Sequence, residues 1–171
     1  ARPSQINPQP LHLDDLVSEV LDLYRSAGLT TGLDVRLDAG ETRVEADPVR
    51  LRQVVHNLIK NAQEAVNVEK NPRIIVSTEV KVDNDCQYVE LNVIDNGPGF
   101  DQQILAHLFE PYVTTKAKGM GLGLAVVKKI AEEHGGNVWA ENLPESGARL
   151  ILRLPTIHTD NKYTDCSQIP E

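Results

Sequence analysis

The helix pattern between residues 48 and 68 constrains the fold of this chain more than any other segment. Asp47 is expected to cap this helix and Pro48 to occupy its first turn, because a carboxylate accepts the amide protons left unpaired there and proline has none. The apolar side chains share one broad face of the helix, and they are Leu51, Val54, Val55, Leu58, Ile59, Ala62 and Val66. A helix with such a face must pack against a second layer of structure.

Shorter patterns along the chain predict that second layer and two more helices. The helical spacing of apolar residues marks 14–27 and 121–134, and glycine follows each of them. Strands are predicted at 34–38, 44–46, 73–82, 87–94, 137–141 and 148–154. Because most successive strands are joined as hairpins, we expect an α+β fold, a two-layer α/β sandwich with a mixed, mostly antiparallel sheet and helices on one face.

The 171 residues fit one folded domain. We expect this domain to cover residues 11–155, to follow a proline-rich linker at 1–10 and to precede a polar tail at 156–171. An edge segment of the fold is the alternative for the start of the chain. The chain begins at Ala1 rather than at methionine, from which we expect a piece of a longer protein.

The net charge of −8 argues against nucleic acid or an anionic membrane as the main partner. It also requires that a polyanionic ligand be neutralised locally, by a metal ion or a few placed cations. Two cysteines, Cys86 and Cys166, are too few for a metal cluster, and we expect both to stay reduced in a cytosol. No apolar run is long enough to span a membrane and no secretory signal opens the chain, which predicts a cytoplasmic location.

A glycine-rich run at 119–123 opens the last predicted helix. Glycines at alternate positions let the backbone approach a ligand closely, and the start of a helix presents unpaired N–H groups and a partial positive charge to an anion. The order G-x-G-x-G matches neither a Walker loop nor the dinucleotide fingerprint G-x-G-x-x-G. By itself the run indicates either an anion site or an ordinary turn at the start of a helix.

Three polar side chains recur beside the apolar face of the long helix. At about 100° per residue, Asn57, Asn61 and Glu64 fall within roughly 60° of one another. Asparagine is a poor residue for a helix interior, since its amide competes with the backbone for hydrogen bonds. The stripe is therefore either a site where amide and carboxylate oxygens hold a hydrated Mg²⁺ and phosphates, or a solvated face.

A short motif, Asp95-Asn96-Gly97-Pro98-Gly99, follows the strand predicted at 87–94. An acid at the mouth of a buried strand can accept a hydrogen bond from a planar amine, and the adjacent glycines leave room for the ring. Since Asn-Gly is a common turn dipeptide, a plain hairpin turn is the alternative.

Taken in chain order, the segments HNLIKNAQEA, DNGPGF, FEPYVTTK and GMGLGL resemble the four boxes of the GHKL ATPase and kinase superfamily. More narrowly, they resemble the catalytic ATP-binding domain of sensor histidine kinases, and most of all its nitrogen-regulation branch, the NtrY- and NtrB-like kinases. The resemblance covers residues 10–155. It implies a Bergerat-type ATP-binding fold with ATP and Mg²⁺ as cofactors.

The resemblance implies a role for side chains of the first two boxes. Asn61 would coordinate the Mg²⁺ that bridges the ATP phosphates, and Asn57 would assist at the metal or the phosphates. Asp95 would bind the exocyclic amino group of adenine, while Gly97 and Gly99 would allow its close approach.

The segment that contains the last two boxes would form a short lid over the triphosphate. Lys116 would be catalytic, together with the two asparagines, and Phe109 and Pro111 would anchor the lid. Phe109 would also lie where it can contact the domain that presents the histidine. The remaining phosphate contacts would come from Thr115, Lys116, Gly119, Met120, Gly121, Leu122 and Gly123.

Two departures from the family pattern weaken the expected grip on ATP. Many members carry Lys-Tyr where this chain has Glu64-Ala65, so neither the phosphate contact of that lysine nor the stacking of that tyrosine can be assumed. A threonine or serine often stands in place of Met120, and its hydroxyl would be lost. We therefore expect weak to moderate affinity for ATP.

A kinase of this kind needs an acceptor histidine on a helical dimerisation domain, from which the phosphoryl group passes to a response regulator. Such a histidine is usually followed by an acidic residue and, a few residues later, by Asn or Thr and Pro. The histidines of this chain lack these neighbours, and they are His12, His56, His107, His134 and His158. His56 also points away from the asparagine stripe by about 100° of helix rotation. We expect the chain to bind Mg²⁺-ATP, to autophosphorylate poorly and to be monomeric, as the cytosolic piece of a homodimeric kinase.

Other activities of the superfamily are the alternatives. A GHKL ATPase of the gyrase, mismatch-repair or heat-shock type places a water-activating glutamate one turn before the metal-binding asparagine, where this chain has Asn57. A protein-serine kinase or anti-sigma switch is the second alternative, although anti-sigma relatives also tend to keep that glutamate. A sandwich without a ligand would leave the helix stripe and the glycine clusters unexplained.

Overall fold

The computed structural model of the protein describes residues 5–28, 32–113 and 123–157. Within these ranges the helices are α1 (Leu13–Ser26), α2 (Pro48–Val66), α3 (Gln102–Ala106) and α4 (Gly123–Glu133). The strands are β1 (Gln9–His12), β2 (Leu33–Leu37), β3 (Arg43–Ala46), β4 (Ile74–Asp83), β5 (Cys86–Asp95), β6 (Asn137–Asn142) and β7 (Ala148–Pro155). None of the helices in the described ranges has both the length and the apolar composition that crossing a bilayer requires.

The larger sheet has five strands in the order β2-β4-β5-β7-β6. β2 runs parallel to β4, whereas the other neighbouring strands are antiparallel. β1 and β3 form a separate antiparallel pair, in which Gln9 lies opposite Ala46. The mixed, mostly antiparallel sheet predicted from the sequence is confirmed.

α2 packs on this sheet through the apolar face predicted from its sequence. The side chains of that face are all buried, and Val54, Val55 and Ile59 have no exposed surface. Alternate residues of β5, among them Leu91 and Val93, belong to the same core. α1 and α4 both pack against α2. The helices therefore form one layer and the sheet the other, as the two-layer prediction requires.

The start of α2 confirms the predicted cap at Asp47. Its Oδ1 accepts hydrogen bonds from the amides of Val49 (3.0 Å) and Arg50 (3.3 Å), and its Oδ2 accepts one from the amide of Asn7 (2.9 Å). These bonds, the one from Asn7 foremost, hold the pKa of Asp47 below its ordinary value. The amide of Asp47 itself donates to Nε2 of the buried His134 over 3.0 Å, which ties the start of α2 to the end of α4.

A polar network joins the start of α1 to the sheet. Asp14 accepts hydrogen bonds from the hydroxyl of Thr78 (2.5 Å) and from the amides of Ala39 (3.1 Å) and Gly40 (2.8 Å). The hydroxyl oxygen of Thr78 in turn accepts from the amides of Asp38 and Ala39. Since Thr78 is buried, these groups depend on one another for their partners.

Two elements were not assigned from the sequence. β1 (Gln9–His12) pairs with β3 along its whole length. The start of the chain therefore includes an edge segment of the fold, which was the alternative to a linker. α3 is a helix of five residues in the connection after β5. Both elements are too short to show a periodicity of their own. The division of the chain at residues 10 and 155 stays a prediction.

Cys86 corrects one expectation. The sequence predicts a reduced thiol, but Cys86 is disulfide-bonded, to a partner outside the described residues. Cys86 begins β5 and is buried. The expectation rested on composition and compartment, and neither reveals which residues a fold brings within bonding distance.

Candidate functional site

Asn57 lies at the point where α2 meets the start of α4. Its side-chain amide donates a hydrogen bond to the backbone carbonyl oxygen of Gly123 over 3.0 Å. Gly123 is the first residue of α4, at the end of the helix where N–H groups are unpaired. The structure thus brings together two predicted site residues that come from separate motifs.

Asn61 lies one turn further along α2, on the same side as Asn57. The side chain of Asn61 is half-buried, and its side-chain amide makes no hydrogen bond with the part of the chain that the structure describes. Glu64, the third residue of the predicted stripe, is exposed. The stripe therefore presents one amide that is held by α4 and one that is available to a ligand.

Asp95 ends β5 in the middle of the sheet. It is only 2% exposed, and its neighbours across the strands are Ile74 and Ala148. Its Oδ1 accepts a hydrogen bond from the amide of Gly97 at 2.9 Å. A carboxylate at such low exposure is a strong acceptor for a donor on a ligand. Asp95 thus lies at the end of a buried strand, as the sequence predicts.

Gly97 lets the loop at 95–100 lie directly against α2. A β-carbon at this position would be 2.5 Å from the carbonyl oxygen of Ala65, far inside contact distance. Ala65 lies one turn after Asn61 on the same helix. Glycine is therefore required here, and its close packing sets the loop that begins at Asp95 beside the polar stripe of α2.

Asn142, at the end of β6, holds the far end of the 95–100 loop. Its Oδ1 accepts a hydrogen bond from the amide of Phe100 at 2.9 Å, and its Nδ2 donates to the carbonyl oxygen of Phe100 at 2.7 Å. Gly99, just before, has a φ of +78°, a conformation that favours glycine. A β-carbon on Gly99 would lie 2.9 Å from Oδ1 of Asn142.

Two further polar side chains hold the near end of the same loop. Ser146 donates to the carbonyl oxygen of Gly97 at 2.6 Å. From the other side, the side chain of Asn96 accepts from the amide of Arg73 and donates to the carbonyl oxygen of Asn71, both at 2.8 Å. Sequence reasoning missed the roles of Asn142, Ser146 and Asn96, because each contact joins segments that are distant in the chain and no local pattern marks them.

His56 occupies a different side of α2 from Asn57, as its helix angle predicts. Its Nδ1 lies 2.7 Å from the hydroxyl oxygen of Tyr24 on α1, and the two ring centroids are 5.5 Å apart. Burial, and after it the charge of Glu64, raise the pKa of Tyr24. His56 therefore contacts α1 rather than the start of α4.

Most of the predicted phosphate contacts lie outside the described residues, and these are Thr115, Lys116, Gly119, Met120, Gly121 and Leu122. Of the residues predicted to anchor a lid, Phe109 is half-buried and packs against the core, whereas Pro111 is exposed. Their role in a lid stays a prediction.

The available donors fit a magnesium ion that is held mainly by phosphates. Within the described ranges, no group of three or more His, Cys, Asp or Glu side chains could hold a metal alone. Mg²⁺ keeps several waters and usually takes one or two protein oxygens together with substrate phosphates. The amide oxygen of Asn61 can supply one such ligand.

Residues 46–158 match the family described as histidine kinase-, DNA gyrase B-, and HSP90-like ATPase. The sensor histidine kinase ZraS of Salmonella typhimurium is 36% identical over 158 residues, which are 91% of this chain and 33% of that protein. The putative sensor histidine kinase NtrY-like of Rickettsia felis is 38% identical over 116 residues, which are 68% of this chain and 19% of that protein. The chain thus spans a third or less of the length of these curated relatives.

Solved structures of histidine kinases share the fold. The nucleotide-free catalytic domain of histidine kinase ThkA matches with a TM-score of 0.75 and 34% identity, covering 88% of this chain and 96% of that one. ThkA in complex with the response regulator protein TrrA matches with a TM-score of 0.70 and 30% identity, covering 88% of this chain and 42% of that one. The α+β fold predicted from the sequence is confirmed by these likenesses.

Proposed function

Because the chain belongs to the family of histidine kinase-, DNA gyrase B- and HSP90-like ATPases, we propose that it binds Mg²⁺-ATP as the catalytic domain of a sensor histidine kinase. The domain would transfer the γ-phosphate of ATP to a histidine on a separate dimerisation domain, for relay to a response regulator. The observation that carries this proposal is the packing of Gly97 against Ala65, which sets the Asp95 loop beside the polar stripe of α2.

On the adenine side, the buried carboxylate of Asp95 would accept a hydrogen bond from the exocyclic amino group of the base. The amide of Gly97 orients one of its oxygens at 2.9 Å. A carboxylate in this position disfavours a base with a carbonyl oxygen at the same place, since two acceptors repel each other. We therefore expect adenine to be preferred over guanine, with Gly97 and Gly99 leaving room for the ring.

On the phosphate side, Asn61 would supply an oxygen ligand to Mg²⁺, and Asn57 would contact the phosphates or the metal's waters. The bound ion would neutralise charge on the transferred phosphoryl group. Asn57 also fixes the start of α4 next to α2. The unpaired N–H groups at that helix start would then face the phosphates. Lys116, Thr115 and the backbone of 119–122 would add charge and hydrogen bonds.

The chemistry of α2 favours transfer to a protein histidine over hydrolysis. A hydrolytic relative needs a base that activates water, and at that helix position this chain has Asn57, whose amide does not take up a proton. The same amide is engaged with the carbonyl oxygen of Gly123. Phosphoryl transfer asks the protein mainly for positioning and charge neutralisation, which the residues named above would supply.

The proposed partners are the histidine-bearing dimerisation domain of the same kinase and a response regulator. ThkA has been solved in complex with the response regulator TrrA, which supports the second partner. We propose that the isolated chain is monomeric, that its parent is a homodimer, and that this domain works in the cytosol. The catalytic unit would span residues 11–155.

Calorimetric titration with ATP, with and without Mg²⁺, tests the nucleotide site. We expect weak to moderate binding that needs Mg²⁺ and that falls about tenfold or more in Asn61→Ala, a loss of about 1.4 kcal/mol. Asn67→Ala is the matched control, since Asn67 is an exposed asparagine at the end of the same helix. Full ATP binding by Asn61→Ala would overturn the metal assignment, and no binding by the wild-type chain would overturn the proposal.

Phosphotransfer is tested by mixing the chain with the histidine-bearing domain of its parent kinase and labelled ATP. We expect phosphohistidine on the added domain and little on the chain alone. A stable phosphohistidine formed by the chain alone would contradict the absence of an acceptor, and rapid release of phosphate to water would favour the ATPase alternative.

A further inference from the structure

We propose that Asn142 is a positioning residue for adenine recognition, which holds the 95–100 loop so that Asp95 points at the base. The inference rests on the proposed function and adds to it a residue outside all of the sequence motifs. The physical basis is a set of close contacts between the loop and the β6–β7 hairpin.

Asn142 makes the two hydrogen bonds with Phe100 that a neighbouring strand would make. Its Oδ1 accepts from the amide at 2.9 Å and its Nδ2 donates to the carbonyl oxygen at 2.7 Å. An asparagine amide has both an acceptor and a donor, whereas a carboxylate has only acceptors. Asn142 is the last residue of β6, an edge strand, so the loop is attached to the sheet through this side chain.

The backbone around Gly99 is fitted closely to the same side chain. A β-carbon on Gly99 would lie 2.9 Å from Oδ1 of Asn142 and 3.1 Å from the carbonyl oxygen of Gly147. These distances leave no space for a side chain at position 99, so the loop and the hairpin lie in close contact there. With Phe100 bonded to Asn142, the path of the chain between Gly97 and Phe100 is therefore fixed at its far end.

The hairpin also contacts the start of the loop. Ser146 donates to the carbonyl oxygen of Gly97 at 2.6 Å, and a β-carbon on Gly147 would lie 2.1 Å from the carbonyl oxygen of Asp95. A bond of 3.0 Å from the amide of Leu143 to the carbonyl oxygen of Gly147 closes the hairpin. One short hairpin thus contacts the beginning, the middle and the end of the loop.

The direction of the Asp95 carboxylate depends on this loop. Its Oδ1 is oriented by the amide of Gly97. Gly97 is held by its packing against Ala65 and by Ser146, and the other end of the loop is held by the bonds of Asn142 to Phe100. Loss of the Asn142 amide releases the Phe100 end, so the Gly97 amide and the carboxylate that it orients lose their fixed direction. Discrimination between adenine and guanine requires that direction.

The test compares Asn142→Ala with the wild-type chain for the dissociation constants of ATP and GTP, each with Mg²⁺. We expect ATP to bind about tenfold more weakly, GTP to change little, and the ATP-over-GTP preference to fall by nearly the same factor. Asn142→Asp keeps the acceptor for the Phe100 amide but sets a carboxylate oxygen against the Phe100 carbonyl oxygen, so it is also expected to lower the ATP-over-GTP preference. Asn137→Ala is the matched control, because Asn137 is exposed at the other end of β6. Among the described residues, its side chain accepts a hydrogen bond only from the adjacent amide of Val138.

Each outcome decides between the inference and its premise. If the wild-type chain bound no ATP, the proposed function and the role of Asn142 would both fall. If the wild-type chain bound ATP and Asn142→Ala kept both constants, or weakened ATP and GTP equally, only the positioning role would fall. If Asn142→Ala failed to fold, Ser146→Ala would be tested in its place, since this variant removes the bond from Ser146 to Gly97. A reduced ATP-over-GTP preference would support the positioning role of the hairpin, and an unchanged preference would overturn that role.

Discussion

The side-chain amide of Asn57 on α2 donates a hydrogen bond to the carbonyl oxygen of Gly123, the first residue of α4, over 3.0 Å. This bond joins the polar stripe of one helix to the N-terminus of another, the two parts expected to face phosphates. The direction of the bond matters, because the side-chain N–H of Asn57 is the donor and the carbonyl oxygen of Gly123 is the acceptor. A carboxylate in its place would set two acceptors against each other.

We therefore expect Asn57→Asp to weaken ATP binding by about tenfold or more, since the new charge repels the carbonyl oxygen of Gly123 and the phosphates. Asn57→Ala, which only loses the bond, is expected to have the smaller effect. Calorimetry with Mg²⁺-ATP measures both. Gln53→Glu adds the same charge at an exposed position one turn earlier and is expected to bind nearly as the wild type does. Equal binding by Asn57→Asp and the wild type would show that Asn57 is not near the phosphates.

Gly97→Ala is expected to lower the free energy of unfolding by about 1–3 kcal/mol and to abolish measurable ATP binding, because its β-carbon would press on the carbonyl oxygen of Ala65. Urea unfolding and calorimetry measure the two effects. Adding Ala65→Gly in the same chain should not restore either property, since the closest contact, at 2.5 Å, is with the main chain. Recovery in the double variant would mean that the side chain of Ala65 decides the packing.

The parts of this molecule that could be predicted from the sequence are those governed by local spacing. The cap at Asp47, the proline after it and the apolar face of α2 follow from rules that act within a few residues. The position of Asp95 at the end of a buried strand follows in the same way. These features are determined by residues close together in the chain and do not depend on contacts with distant segments.

The parts that could not be predicted depend on contacts between distant segments. Asn142 bonds to Phe100 across 42 positions, and Ser146 to Gly97 across 49. The disulfide at Cys86 was missed for the same reason. The need for glycine at 97 also becomes clear only when Ala65 is seen against it, although the motif marks the position.

Asp47 is expected to make stability depend on pH in the acid range. Its pKa is lower in the folded chain than its ordinary value, so the charged form stabilises the fold. That contribution is fully present above the ordinary pKa of about 4 and is lost as the pH falls through the lower, folded value. Asp47→Asn should therefore lose stability at neutral pH, since one of its atoms becomes a donor facing another donor, and should lose less than the wild type as the pH falls.

Urea unfolding at a series of pH values between about 2 and 7 measures this difference. Asp15→Asn is the control, because Asp15 is exposed in the first turn of α1 and should keep the pH dependence of the wild type. If Asp47→Asn lost stability on acidification as steeply as the wild type, the carboxylate of Asp47 would not be the group responsible.

Thr78→Val is expected to lower the free energy of unfolding by about 2 kcal/mol, although valine has nearly the same shape as threonine. The hydroxyl of Thr78 donates to Oδ1 of Asp14 and accepts from two amides, so valine removes three hydrogen bonds, including the donor to that carboxylate oxygen. Ser77→Ala is the matched control, since Ser77 is the adjacent residue of β4, points to the other face of the sheet and is half-buried. The network lies several residues along β4 from the Asp95 end, so ATP affinity should not change. A loss below about 0.5 kcal/mol in urea unfolding would mean that water satisfies these groups as well as threonine does.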